Sequence, residues 1–196
     1  MLHDVCKALI LILSKIFFRL SITGVENIPK KGGFILASNH VSYLDPLVVG
    51  ASCRRKLGYM ARHDLFLVPV LKDWLYAVGA FPVKRGTADF SAMKEAMRRV
   101  KEGKGLLLFP EGKRMEEGQI GEPSAGIGFL AAKLGVPVIP AFIKGSEKAL
   151  PKHSKFIHPH KISVCFGTQI PIERGLPYQD IAENIMKKIR QLSCSN

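Results

Sequence analysis

Cysteine is scarce and unpatterned in this chain. The four cysteines stand at 6, 53, 165 and 194, and no two form a CxxC pair. That argues against a zinc ribbon or a dithiol centre, and the lack of a disulfide framework points to a reducing compartment. Acidic residues are also few, with 16 Asp and Glu against 29 Lys and Arg and a formal charge of +13. A field of that sign favours an anionic partner, whether nucleic acid, an anionic membrane or a phosphorylated substrate. No recognised nucleic-acid motif and no basic stripe interleaved with aromatics is present, so nucleic acid is set aside. There is no internal repeat, low-complexity tract or Pro- or Ser-rich linker, and 47% of residues are hydrophobic, which excludes a disordered chain. No Ser or Cys sits in a nucleophile-elbow pattern, so an acyl-enzyme is not expected. His153, His158 and His160 lack matching Cys or Asp at ligand spacing, which leaves them as a solvated loop and predicts no metal site.

Long apolar runs are missing too. The segment Leu2 to Leu20 comes nearest, but Lys15 and Arg19 interrupt it, and a transmembrane helix needs roughly 20 mainly apolar residues. It also lacks the small-residue cleavage site of a signal peptide. Wound at about 100° per residue, it places Asp4, Lys7, Ser14, Lys15 and Arg19 on one side. Val5, Leu9, Ile12, Leu13, Ile16 and Leu20 fall on the other. A basic face opposite bulky aliphatics predicts an amphipathic helix lying in a membrane interface, the alternative being a helix packed on its own domain. The expected organisation is this helix over residues 1–23 and a single domain over 24–196.

Beyond Gly24, short apolar runs alternate with helical patterns. Phe34–Ala37, Leu57–Ala61, Leu106–Phe109, Val138–Phe142 and Ile162–Phe166 read as strands, with Ala80–Val83 as a weaker sixth. Helices are expected over roughly Leu65–Val78, Ala88–Glu102, Ser124–Leu134 and Gln179–Leu192. Alternation at this spacing predicts an α/β fold, a central mixed and mostly parallel sheet flanked by helices.

The chemistry gathers where strands end. Asn39-His40-Val41-Ser42-Tyr43-Leu44-Asp45 follows a buried strand, and open α/β sheets place reactive groups at such ends. If the chain turns, Asp45 can hold one imidazole nitrogen of His40 and leave the other to take a proton. Imidazole suits a general base because it titrates close to neutral pH. A second strand ends in Phe109-Pro110-Glu111-Gly112-Lys113-Arg114. There Arg114 offers a planar fork for phosphate oxygens, Gly112 permits close backbone approach, and Glu111 can orient Arg114 or touch substrate. A third run, Gly79 to Gly86, ends in Lys84 and Arg85. Convergence of the three ends would set a base beside several cations, a site for a phosphorylated alcohol.

These residues resemble the glycerolipid acyltransferases, a family that includes 1-acyl-glycerol-3-phosphate acyltransferase and its bacterial members. Asn39-His40 through Asp45 is similar to the family's NHxxxxD block, and Gly79 to Arg85 to its second block, which ends in Arg. Phe109-Pro110-Glu111-Gly112 with Arg114 resembles FPEGTR, and Val136-Pro137-Val138-Ile139-Pro140 resembles VPVxP. The resemblance implies an acyl-CoA or acyl-carrier-protein donor, no bound cofactor and an anionic lysophospholipid acceptor, with phosphatidic acid as the product in phospholipid biosynthesis. It further implies His40 and Asp45 as catalytic residues. Asn39, Lys84, Arg85, Glu111, Gly112 and Arg114 are the candidate substrate-binding residues, and backbone N–H groups near Gly112 are the candidate oxyanion donors. Lys113 stands where the family usually has Thr, and Ser124 where a basic residue often precedes the Gly matching Gly126; these departures bear on the acceptor head group, not the reaction class. The alternatives are a related acyltransferase with another acceptor (glycerol-3-phosphate, another lysophospholipid or a lyso-aminolipid) or a non-catalytic lipid-binding module. The expected location is the cytoplasmic face of a bacterial membrane, peripheral or monotopic.

Overall fold

A computed structural model of the chain describes residues 2–84, 89–116, 119–154, 156–173 and 175–193. Its strands are β1 (Ser21–Thr23), β2 (Phe34–Ser38), β3 (Leu57–Arg62), β4 (Ala80–Val83), β5 (Gly105–Leu108), β6 (Val138–Lys144) and β7 (Ser163–Phe166). They form one seven-stranded sheet in the order β1-β7-β6-β2-β5-β3-β4. Every pairing is parallel except β6 with β7. The expected mixed, mostly parallel sheet is present, with β1 added at one edge.

The helices are α1 (Leu2–Phe18), α2 (Asp45–Ser52), α3 (Pro69–Ala77), α4 (Phe90–Lys101), α5 (Ala125–Leu134), α6 (Ser146–Ala149) and α7 (Tyr178–Ser193). Central strand β2 is buried along its whole length, as a parallel strand covered on both faces must be. Its alternate residues feed two cores. Phe34 and Leu36 pack with Phe18, Leu20, Val48 and Val49 from the α1–α2 side, joined by Ile139 and Ile143 of β6. Ile35 and Ala37 pack with Ala96 and Val100 of α4, Leu130 of α5 and Ile185 of α7.

Two expected helices are revised. The segment expected to be helical from Leu65 opens instead with a 3₁₀ turn, His63–Leu67, and α3 starts only at Pro69. Proline at that position pushes its predecessor out of the helical region, and Val68 is extended with φ −89° and ψ 113°. Helix α1 is present, and part of its polar side turns toward the domain while Asp4, Lys15 and Arg19 stay exposed. Ser14 is 2% exposed against the domain, Lys7 Nζ donates to the Cys53 carbonyl, and Asp4 pairs with Lys56 at 3.0 Å. The aliphatic side is the free one, with Val5, Leu9, Ile12, Leu13 and Ile16 all exposed. No helix among the described residues is long and apolar enough to cross a membrane.

Candidate active site

The site forms where β2 emerges from the sheet between β5 and β6. Asn39 is the first residue past β2, and its amide bridges to β6. Oδ1 accepts from Ile143 N at 2.8 Å and Nδ2 donates to Ile143 O at 2.9 Å. With both ends of the amide engaged and the residue buried, Asn39 pins the strand end to β6.

His40 follows. Its Nδ1 lies 2.8 Å from Asp45 Oδ2, and its ring stacks on Phe109 with centroids 4.1 Å apart. Asp45 opens α2 and is fully buried. Its Oδ2 also accepts the backbone N–H groups of Val41 and Ser42, both at 2.7 Å. Its Oδ1 accepts the Ser146 hydroxyl at 2.6 Å. With backbone and hydroxyl donors on both of its oxygens, the carboxyl group takes the acceptor role and Nδ1 carries the proton of the shared bond. Nε2 is left as the lone-pair nitrogen of a ring held on one face and one edge.

Ser146 is a residue that the sequence reading missed. It lies 101 positions from Asp45 and reaches it because β6 runs beside β2 and ends in a sharp turn at Gly145. That turn needs glycine: φ is 90°, and a Cβ would stand 2.0 Å from the Lys161 carbonyl. The available signal was a Gly-Ser pair just past a strand that itself continues the VPVxP block.

From the other flank, β5 delivers Phe109 to Arg114. The chain reverses at Gly112, whose φ of 66° is the left-handed conformation that glycine adopts without strain. The Gly112 N–H donates to the Phe109 carbonyl at 3.0 Å, so it is engaged in the turn and not free to serve as the oxyanion donor expected there. Glu111 turns inward. Its Oε2 accepts the His40 backbone N–H at 2.9 Å, and Oε1 accepts that of Gly121 at 3.4 Å. The His40 carbonyl in turn accepts from Met115 N at 2.8 Å, so the segment after β5 grips the His40 peptide on both sides. Burial pushes the Glu111 carboxyl up to about 7, opposed by those two backbone donors. Glu111 therefore positions His40; of the two roles open to it in sequence, orienting Arg114 or touching substrate, no bond to Arg114 is seen among the described residues.

Arg114 lies over the Tyr43 ring, with its guanidinium carbon 3.4 Å from the centroid. Its Nη1 is buried and has no hydrogen-bond partner. Tyr43, inside the first motif, is thus a second functional residue not singled out from sequence; an aromatic between a catalytic-type His and Asp was the signal for cation stacking.

Lys84 does not join this group. It ends β4, two strands beyond β5, and its exposed side chain stands outside the cavity. Arg85 lies outside the described residues. Of the three strand ends expected to converge, those of β2 and β5 meet, β4 borders the same cavity through Ala80 and Val83, and β6 adds a contribution through Ser146.

His40, Phe109, Gly112 and Arg114 open onto a cavity of about 550 Å³. Beyond them the wall is mostly apolar, formed by Leu47 and Ala51 of α2, Met60 of β3, then Leu65, Trp74 and Leu75, with Ile10 of α1 at one side and Lys7 and Arg62 also on its lining. The size is that of a typical small-ligand site. A proton acceptor, a cation lacking a partner and a long apolar wall share one space. Among the described residues no group of three or more His, Cys, Asp or Glu is placed to hold a metal ion.

The sequence model of a family described as Acyltransferase matches residues 19–144. The chain is 32% identical over 147 residues to a chloroplastic 1-acyl-sn-glycerol-3-phosphate acyltransferase of Brassica napus, a match covering 74% of this chain and 42% of that protein. It is 31% identical over 134 residues to the 1-acyl-sn-glycerol-3-phosphate acyltransferase of Bacillus subtilis, covering 66% of each. The chain thus spans less than half the length of the plant relatives it matches. Its fold is that of the 1-acyl-sn-glycerophosphate acyltransferase of Thermotoga maritima, with a TM-score of 0.78 at 23% identity, covering 98% of this chain and 78% of that one.

Proposed function

The chain belongs to the acyltransferase family, and we propose that it moves a fatty acyl group from a thioester donor to the free hydroxyl of 1-acyl-glycerol-3-phosphate, giving phosphatidic acid. One observation carries the choice of acceptor: the buried Arg114 Nη1 without a partner, in the same cavity as the His40 ring. An unpaired guanidinium nitrogen is costly to bury, and a phosphate oxygen is its natural complement. The apolar wall then receives acyl chain.

In the proposed reaction His40 Nε2 takes the proton of the acceptor hydroxyl as its oxygen attacks the thioester carbonyl. The C–O bond forms, and negative charge builds on the former carbonyl oxygen. Collapse breaks the C–S bond, and the departing thiolate takes the proton back from His40. Asp45 steadies the imidazolium through Nδ1, the role that a buried carboxylate plays beside other catalytic histidines. Ser42 offers no competing nucleophile, because its hydroxyl donates to the Leu150 carbonyl at 2.9 Å. The donor is acyl-CoA or acyl-carrier protein. Arg85, at the end of the second block, is assigned to the acceptor phosphate by the family resemblance alone.

Acceptor and product are lipids, so the chain works at a membrane surface, and α1 is its anchor. The exposed aliphatics of α1 include Leu9, Ile12 and Ile16, and Lys15 and Arg19 are exposed beside them. This is the composition of an interfacial helix that attracts anionic lipid. The location proposed is the cytoplasmic face of a bacterial membrane.

The test is acyl transfer by the purified full chain against a panel of lysolipids and glycerol-3-phosphate, with products identified by mass spectrometry. His40→Ala should lower kcat by about 10²–10⁴-fold, the usual range for loss of a general base, with vesicle binding unchanged. A folded His40→Ala protein with near-normal turnover would refute the mechanism.

A further inference from the structure

A second cavity, of about 340 Å³, lies on the opposite flank of His40 and Asp45 from the apolar one. It sits where β6 ends and β1 and β7 begin, and its character is different. Lys144, Lys148, His160 and Lys161 line it, together with the hydroxyl-bearing Ser21 and Ser163. The single carboxylate in its wall, Glu147, accepts the Gly145 backbone N–H at 2.8 Å. Among the described residues Lys144, Lys148 and Lys161 form no ion pair. The walls are fixed to each other, since the Gly145 backbone packs directly on the Lys161 carbonyl. Like charges held around one space repel, and an anion placed between them removes that repulsion.

The surroundings indicate where the anion comes from. Ser21 follows the end of α1 by only three residues, and the Ile162 N–H donates to the Phe18 carbonyl at 2.9 Å. Between them Arg19 is exposed and holds φ 45°, a left-handed conformation that a Gly would adopt more easily. On the other side, the His158 N–H donates to the Ala149 carbonyl at 2.7 Å, which holds the preceding loop at the end of α6. That loop exposes Phe156 by 76% and Ile157 by 57%. Exposed apolar side chains thus occur near the cavity in sequence, Phe17 at the end of α1 and Phe156 and Ile157 in this loop.

We propose that this cavity binds the phosphate of an anionic phospholipid headgroup, holding the end of α1 and the Phe156–Ile157 loop against the leaflet. It is distinct from the acceptor site at Arg114, and it rests on the reading of the chain as a membrane-surface enzyme.

The test compares two double variants of the full chain, Lys148→Ala with Lys161→Ala and Lys30→Ala with Lys31→Ala. Both remove two positive charges. Lys30 and Lys31 precede β2, at the far edge of the sheet, and a five-residue strand separates the edges by about 16 Å. That exceeds the Debye length of about 8 Å at physiological salt. Binding is measured by cosedimentation with phosphatidylcholine vesicles, with and without phosphatidylglycerol. A lysine at an anionic surface is worth roughly fivefold in affinity. The Lys148/Lys161 variant should therefore bind the anionic vesicles about twenty-five-fold more weakly, with neutral vesicles unaffected and the Lys30/Lys31 variant close to wild type. Equal loss in both variants would overturn the site in favour of a diffuse field. A raised donor KM with unchanged vesicle binding, together with competition by free CoA or inorganic phosphate, would assign the cavity to the donor's phosphates instead and also overturn it. Acyl transfer to a short-chain soluble acceptor should be intact in the Lys148/Lys161 variant. A wild-type protein inactive on every lysolipid would count against the proposed reaction, not against this site.

Discussion

Replacing Ser146 with Ala removes one oxygen from the molecule and tests how the His–Asp pair is held. The hydroxyl donates to Asp45 Oδ1 at 2.6 Å, and both residues are fully buried. No solvent stands ready to replace the bond, so Oδ1 loses its donor. A hydrogen bond to a charged group contributes about 1.5–3 kcal/mol to stability, and leaving a buried acceptor unpaired costs on the same order. Denaturant unfolding should register a loss of that size. Catalysis should suffer too, because the Ser146 bond sets the plane in which Oδ2 meets the imidazole. Oδ2 keeps its two backbone donors from Val41 and Ser42, so the carboxylate stays seated and the rate loss is bounded. A fall in kcat of about tenfold is expected, equivalent to roughly 1.4 kcal/mol, with acceptor KM unchanged. Asp45→Asn should be more severe, since it disturbs the tautomer and the charge together. The decisive measurement is the double variant. If Ser146 acts through Asp45, adding Ser146→Ala to Asp45→Asn should change kcat less than threefold, the coupling expected of contacting residues. A full tenfold further loss in the Asp45→Asn background, or a wild-type kcat for the single variant, would refute the positioning role.

Three further outcomes follow from the geometry. Arg114→Ala should raise acceptor KM about 10–100-fold, the worth of one charge-assisted contact, with a smaller change in donor KM; a defect confined to donor saturation would reassign the residue. Glu111 is a carboxyl whose folded value, about 7, lies above its ordinary 4.5. Its contribution to stability is complete below pH 4.5 and is lost as pH rises through 7. At about 1.4 kcal/mol per unit the loss is up to about 3 kcal/mol, and Glu111→Gln should flatten the slope when unfolding free energy is measured across that window. On α1, Leu9→Glu with Ile12→Glu and Ile16→Glu alters exposed side chains only and should weaken vesicle binding even at high salt. Retained high-salt binding in that triple variant would remove α1 as the anchor.

The sequence made the sheet legible because its strands are short apolar runs cut by Gly and Pro, and buried parallel strands have that pattern. It was less informative where the pattern is weak. β1 has only three residues, and α2, with the sequence Asp-Pro-Leu-Val-Val-Gly-Ala-Ser, has no clear polar face to set a helical period. Within the site, legibility followed distance along the chain. His40 and Asp45 are five apart and close a local turn, so their partnership could be read from spacing. Ser146 joins them across 101 positions, through a strand pairing that spacing does not encode. Asn39 and Glu111 were legible as site residues, but their backbone contacts were not. Their side chains look available in sequence, yet each is engaged by a backbone group from a neighbouring strand or turn, Ile143 for one and His40 for the other.

The orientation of α1 follows the same logic. Amphipathicity predicted two faces and left open which one would meet the domain. In a soluble protein the aliphatic face would pack inward, because burying it is the dominant gain. Here Ser14 and Lys7 turn toward the domain, while at least five large aliphatics stay exposed. Exposed aliphatics are unfavourable in water, and the proposed contact with an apolar phase would relieve that cost. The inward edge also places Ile10 and Lys7 beside the active-site cavity, so the helix that would lie in the leaflet forms part of the cavity's wall. An acyl chain leaving the bilayer alongside α1 would reach His40 without crossing bulk water. In the proposed reading, α1 would connect membrane contact to the chemistry in a single element.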